Sequence, residues 1–440
     1  MTSVTTPSAF RVGIDGFNLS LGKGTGVATY ARTLSHVLME MGHPVDVLYG
    51  LDVLSSSSDE LREVRFFDRL DHAEPSRRAT PFSKRWIRDR KADLRVPPVH
   101  EMEISGRVDL RPFGDRLPVF DRLFNAENLF QRAARHFRRT GRMTSIRMKA
   151  PPAVMHWTYP LPVRLEGAAN IYTLHDLVPL RLPYTTLDDK PYYHRLIDAV
   201  CKNADTLCTV SEASKKDILS FFPSVEGKLH NTYQSFRTAS HILARTREQC
   251  EAEIMADFGL EPASYFMFFG SLEPKKNIGR LIEGFLASGC SRRLVLVGAM
   301  AWKSERELRY LERGIAAGRI VSIDYLPERT LFSLLRLARA VLFPSLCEGF
   351  GLPVLEAMNF GVPALISREG ALPEIGGDAA LQTDAYDVDA IAAAIFQLDQ
   401  DDALCGRLAV AGRQQAERFN IASYRERLDI LYTSALHRKA

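Results

Sequence analysis

Residues 340–367 read AVLFPSLCEGFGLPVLEAMNFGVPALIS. An apolar run that ends near Ser345 gives way to a glycine-rich turn, and Pro353 suits the first turn of a helix that Gly361 can terminate. A second apolar run, 362–367, follows at once. Strand, helix and strand at this spacing predict a βαβ unit whose strands lie parallel in a sheet covered on both faces. Glu348 falls in the turn and Glu356 roughly one turn into the helix. Ligands of open parallel sheets bind beyond the carboxyl ends of the strands, where both glutamates stand. The amides of Phe350, Gly351 and Leu352 should point there at a positive helix end, which suits a diphosphate or the sugar attached to it. A carboxylate accepts two hydrogen bonds from a vicinal diol, so Glu356 is expected to hold ribose and Glu348 the hydroxyls of a sugar.

The same pattern recurs along the chain. RVGID (11–15), GVATYARTLSHVLMEMG (26–42) and PVDVLYG (44–50) read as strand, helix, strand. Further strand-like runs lie at 153–157, 170–176, 204–211, 265–271, 293–298, 319–326 and 340–345. The 440 residues exceed one ordinary core, so two doubly wound domains of about 200 residues facing a cleft are expected. The join is placed near the polar stretch NTYQSFRTAS (231–240). That divides the chain into an N-terminal domain (about 1–240), a C-terminal domain (about 241–420) and a last helix (about 421–440) packing back across both.

Residues 60–150 break the alternation with a basic insertion, dense in SRRATPFSKRWIRDRKADLR (76–95) and RAARHFRRTGRMTSIRMK (132–149). Phe120, Leu123, Phe124, Phe130, Ala134 and Phe137 recur at helical spacing, which predicts a helix near 119–139 with one apolar and one basic face. Two readings stand: a core-facing helix with a solvated basic face, or a surface docking on anionic lipid headgroups. The run SSSS (55–58) reads as a loop.

Composition excludes several classes. With 46% hydrophobic and 25% charged residues the chain is globular, and a formal net charge of +4 is too small to argue for nucleic acid. The start MTSVTTPSAFRVGID lacks the pattern of a signal peptide, and no apolar run approaches the roughly 20 residues of a membrane span, so a cytoplasmic protein is expected. Six scattered cysteines form no CxxC pair and read as reduced, mostly buried thiols.

On these residues the chain resembles the family 4 retaining glycosyltransferases of the GT-B fold, whose hallmark of two glutamates separated by seven residues is met by EGFGLPVLE (348–356). GSLEPKKNIGRLIEGF (270–285), LVLVGAMAW (294–302) and ALPEIGGDAALQTDAYD (371–387) resemble its phosphate-lysine, nucleotide-contacting and post-hallmark segments. GTGVATYARTL (24–34), YTLHDLVPLRLP (172–183) and TVSEASKKDI (209–218) fit its N-terminal half. The resemblance covers nearly all of the chain except about 50–150. It implies that Lys276 neutralises a donor diphosphate, with Lys275 or Lys276 the only cations of that loop, and that Gly298 lies at a nucleotide-contacting strand end. It implies that His175 meets the transferred sugar near the reacting carbon. One departure is Ser271, which follows Gly270 where parts of the family carry arginine.

The loop DGFNLSLGKGTGV (15–27) contains Gly22, Gly24 and Gly26, and Asp46 follows 20 residues after Gly26. The spacing is not GxGxxG and a polar loop intervenes after the strand, so a nicotinamide site is set aside. The glycines instead fit a mobile loop closing over the donor phosphates and the acceptor, with Gly26 near the helix start.

The expectation is therefore a metal-independent, retaining enzyme with no cofactor. It moves a sugar from a nucleotide sugar to a hydroxyl of a growing, lipid-linked glycan; HDLVPLRLP (175–183) and GSLEPKKN (270–277) resemble bacterial mannosyltransferases, which implies mannose from GDP-mannose as the first guess. Other donors (UDP-glucose, dTDP- or GDP-deoxysugars), a sugar-nucleotide epimerase and a non-catalytic scaffold are the alternatives. The partners are the nucleotide sugar, the glycan acceptor and, on one of the two readings above, the inner membrane face.

Overall fold

The computed structural model describes residues 9–21, 26–53, 59–72, 96–114, 116–299 and 309–439. In chain order the N-terminal strands are Val12–Asp15 (β1), Val45–Tyr49 (β2), His100–Met102 (β3), Arg122–Asn125 (β4), Thr144–Ile146 (β5), Val154–Trp157 (β6), Val163–Leu165 (β7), Ala169–Thr173 (β8), Thr206–Thr209 (β9) and Leu229–Asn231 (β10). Eight of them form one sheet in the order β10-β9-β8-β6-β1-β2-β4-β3, parallel except for the antiparallel edge strand β3. The C-terminal sheet takes Tyr265–Phe269 (β11), Arg293–Val297 (β12), Ile320–Ile323 (β13), Ala340–Phe343 (β14), Ala364–Ser367 (β15) and Leu381–Thr383 (β16), all parallel, in the order β13-β12-β11-β14-β15-β16. These are two Rossmann-like domains. Their central strands are apolar runs because helices cover both faces: every residue of β1, β2, β6, β8, β11 and β14 is buried.

The expected helix at 119–139 is corrected. Arg122–Asn125 is strand β4, parallel to β2, and only Leu129–Thr140 is helical. Consecutive Leu123 and Phe124 are both buried, one in each of the two hydrophobic clusters flanking the sheet, a period of two that a helical count over Phe120–Phe137 conceals. The strand is tied to its neighbour by charge. Arg122 forks onto Asp46 at 2.9 and 2.6 Å, and Arg11 joins the same carboxylate at 2.9 Å. Asp46 thus serves strand pairing near the start of β2, away from the carboxyl ends of the strands.

Helix Leu129–Thr140 buries Leu129, Phe130, Ala133 and Phe137, and Arg138 stacks on Tyr192 at 4.8 Å. Its core-facing side is real, while Arg139, Arg142 and Lys149 remain exposed. The basic run 76–95, the serines 55–58 and the glycines 22 and 24 lie outside the described residues.

The last helix, Ile421–Lys439, returns to the N-terminal domain and buries Tyr424, Leu428, Leu431, Tyr432 and Ala435 along one stripe. Tyr432 Oη lies 2.9 Å from His156 Nδ1, and His156 Nε2 lies 2.8 Å from Thr173 Oγ1. Burial pushes the His156 imidazole down to about 3, so it is neutral in the fold. Between its ordinary value and that one the unfolded chain binds a proton the folded chain refuses. The stability due to this histidine is therefore present near neutrality and lost as pH falls. Tyr432→Phe is expected to cost about 1–3 kcal/mol by stranding His156 Nδ1, read as a lower urea midpoint with unchanged slope.

Candidate active site

The site is built on strand ends. β11 and β12 both stop at glycine, and a Cβ on Gly298 (φ +152) would stand 1.9 Å from the carbonyl oxygen of Gly270. Only glycine lets the two strand ends come that close. Beyond β11 a 3-10 turn, Pro274–Lys276, carries Lys275 and Lys276 and ends at Asn277 in the left-handed region. Asn277 is fully buried, and its side-chain amide donates to Pro344 O at 2.9 Å and Ala385 O at 2.6 Å. One amide thus clamps the lysine turn onto the ends of β14 and β16.

That clamp sets the central contact. Lys276 Nζ donates to Glu348 Oε1 at 2.5 Å, and Ser345 Oγ donates to the same oxygen at 2.9 Å. Glu348 is 9% exposed, so the pair faces the cleft with little water. Lys275 turns instead to the N-terminal domain, 3.8 Å from Asp176. Burial opposes its charge, yet Asp176, Glu348 and Glu273 outweigh burial and hold its pKa above the ordinary lysine value.

Helix Leu352–Asn359 starts behind Gly351 (φ 106), and the amides of Phe350 and Gly351 have no acceptor among the described residues. The Phe350 ring is buried edge-on against Phe419 at 5.6 Å, so its contribution to the crevice is backbone alone. Leu352 opens the helix. Glu356 lies in the second turn, part-buried, and its carboxylate has no hydrogen-bond partner among the described residues. Burial, with Glu328 adding repulsion, pushes its carboxyl up to about 8.

His175 reaches this constellation from across the cleft, just past the end of β8. A Cβ on Gly349 would meet the His175 carbonyl oxygen at 2.5 Å, so the glutamate turn rests directly on the histidine loop. His175 Nε2 donates to Thr158 O at 2.9 Å, leaving Nδ1 as the lone-pair nitrogen, and burial lowers the imidazole pKa so that it is neutral. Thr158 is itself held, with its hydroxyl 2.9 Å from Asp15 Oδ2 and its amide on the same oxygen. The Tyr30 ring stands edge-on to His175 at 4.9 Å.

Of the residues singled out in the sequence, Lys276 and Glu348 meet directly, and Lys275 and His175 border them. Glu356, Phe350, Gly351 and Leu352 follow on the adjoining helix, and Gly298 ends the neighbouring strand. Gly26 begins helix Gly26–Glu40, and no atom of the described residues lies within 4 Å of where its side chain would start. Among the described residues no three His, Cys, Asp or Glu side chains gather as metal ligands would. Sequence reasoning assigned nothing to Asn277, Asp15, Thr158, Ser211, Ser214 or Glu374, although Asn277 follows the lysine pair and TVSEAS and ALPEIGG were already conspicuous.

Residues 251–415 match the family described as Glycosyl transferases group 1. The chain is 33% identical over 265 residues to O-antigen chain mannosyltransferase B of Escherichia coli, a match covering 59% of this chain and 68% of that protein. It belongs to the group 1 glycosyltransferases. It is also 24% identical over 277 residues to the serotype-specific mannosyltransferase WbdA of Escherichia coli, spanning 61% of this chain but only 34% of that longer protein. Sucrose-phosphate synthase from Thermosynechococcus elongatus shares the fold at a TM-score of 0.64 and 17% identity, over 96% of this chain and 98% of that one. The fold of this glycosyltransferase is GT-B.

Proposed function

We propose that this glycosyltransferase moves mannose from GDP-mannose to a hydroxyl of a growing, lipid-linked glycan, with retention of configuration and without a metal. The carrying observation is the Lys276–Glu348 pair at the head of helix Leu352–Asn359, in a turn that rests on the backbone of His175. A nucleotide sugar satisfies both halves of that pair, because sugar hydroxyls donate to the carboxylate and the diphosphate accepts from the ammonium. Glu356 then takes the ribose diol, and the free amides of Phe350 and Gly351, with that of Leu352, share the diphosphate charge. The C1–O bond to the diphosphate breaks as the acceptor oxygen bonds C1 on the same face, and the acceptor proton passes to the departing diphosphate oxygen. Neutral His175, its Nε2–H already committed to Thr158, serves as a polar wall beside the cation-like sugar rather than as a base. Mannose is preferred because the two Escherichia coli relatives similar in sequence are named mannosyltransferases.

A donor panel with proton NMR of the first product tests this. An α-linked product from GDP-α-mannose, formed equally in the presence of a chelator, is expected. A β-linked initial product refutes the mechanism, and turnover with UDP-glucose but not GDP-mannose refutes the donor. No helix among the described residues is long and apolar enough to cross a membrane. Exposed Arg139, Arg142 and Lys149 support peripheral docking on an anionic inner leaflet. Flotation with anionic vesicles should weaken as salt rises; equal binding to neutral vesicles, or none to either, refutes docking.

A further inference from the structure

A carboxylate outside the expected site joins the two domains. Glu374, in the short helix Leu372–Gly376 of the C-terminal domain, accepts the amides of Glu212 at 2.9 Å and Ala213 at 3.1 Å. These are the first two amides of helix Glu212–Phe221 in the N-terminal domain, orphans that a helix must place somewhere. Burial and then the same carboxylate raise the pKa of Tyr233, in the crossover between the domains. Tyr233 is itself held at φ 54, its ring against Phe419 at 5.3 Å and beneath Arg427 at 4.7 Å. Beside Glu374, Ser211 Oγ donates to Gly349 O at 2.7 Å. Ser214 Oγ stands 2.9 Å from His175 O and 3.2 Å from Gly349 O, sharing one hydrogen between the two domains.

We propose that Glu374, with Ser214, is the latch of the closed cleft and a positioning residue for transfer. It seats the Gly349 turn on the His175 loop so that Glu348 and His175 face the same sugar. The transfer part rests on the function proposed above; the latch itself does not. The chemistry suits a contact that opens every cycle. On separation, carboxylate, hydroxyls and amides all return to water, so each bond adds only a modest net amount, strengthened by the positive helix end. Glu374 touches neither donor nor acceptor on this reading. Its loss should spare donor affinity, which rests on groups of the C-terminal domain.

Small-angle scattering of the full chain, with and without saturating GDP, is paired with calorimetry and steady-state kinetics. Glu374→Ala should enlarge the radius of gyration relative to wild type and leave GDP affinity within about threefold. It should lower kcat about tenfold with little change in donor KM. Glu374→Gln, which keeps an acceptor oxygen, should recover most of both losses. Ser214→Ala, which leaves the Glu374 contacts in place, should show a weaker version of the same kinetics at an unchanged melting temperature. Identical scattering for wild type and Glu374→Ala in both conditions overturns the proposal, as does a kcat loss that simply tracks melting. Should wild type fail to bind GDP or transfer sugar, the proposed function falls, while ligand-free scattering still decides the latch.

Discussion

Lys276→Ala is expected to lower the turnover rate about 10²–10³-fold while leaving nucleoside diphosphate affinity within about tenfold of wild type. Negative charge grows on the diphosphate as the sugar departs, so a fixed ammonium is worth more in the transition state than in the bound ground state. Its neighbour Lys275 is already committed to Asp176 and does not replace it. The substitution has a second consequence. Glu348, 9% exposed, would keep only the Ser345 hydroxyl and become a nearly buried, unpaired carboxylate. Stability of the free protein should fall by about 1–3 kcal/mol for that reason. Adding Glu348→Gln removes the stranded charge, so the double variant should regain stability but not turnover. Separate readings of urea midpoint and kcat distinguish the two effects. A single variant that keeps more than a tenth of wild-type turnover would show that Lys276 does not carry the leaving-group charge.

What the sequence revealed follows from how local each feature is. Strands such as β11 and β14 are buried on both faces and stand out as unbroken apolar runs between helices. β4 escaped because it is four residues long with arginine and asparagine at its ends, and its charged start finds its ion-pair partner in Asp46, 76 positions earlier. The turn and helix that carry Glu348 and Glu356 are continuous in sequence, so strand, glycine, proline and glutamates could be read as one unit. The Lys276–Glu348 pair spans 72 positions, and each partner was legible while their direct bond was not. Least legible were Ser214 and Glu374. Their role exists only where two domains touch, and Glu374 meets Glu212 across 162 positions. A serine after a strand and a glutamate in a short helix carry no signal of that contact. The same limit applies to Thr158 and Asp15, which act on His175 through a backbone carbonyl.

Glu356→Gln is expected to change donor affinity and fold stability in opposite directions. Burial raises the Glu356 carboxyl from its ordinary 4.5 to about 8. Across that window the folded protein holds a proton that the unfolded chain has released. Unfolding therefore gives up a proton, and the contribution of this group to stability, full below the ordinary value, is lost as pH rises through about 8. A neutral glutamine never ionises. The variant should match wild type near pH 5 and exceed it by on the order of 1–3 kcal/mol at pH 9, read from urea midpoints at both values. Donor binding demands the opposite form. Two ribose hydroxyls donate best to an ionised carboxylate, so nucleoside diphosphate should bind wild type more tightly as pH rises towards 8 and should release a proton on binding. In Glu356→Gln those charged hydrogen bonds are gone, a loss of about 1.5–3 kcal/mol, or roughly 10- to 150-fold in Kd. Proton release measured by calorimetry in buffers of different ionisation heat should fall by the share due to this group. Titration of the diphosphate itself is common to both proteins and cancels in the comparison. Equal affinities with equal proton release would remove Glu356 from the ribose, whereas a more stable variant that binds GDP poorly is the signature of a carboxylate kept for its ligand at the expense of the free fold.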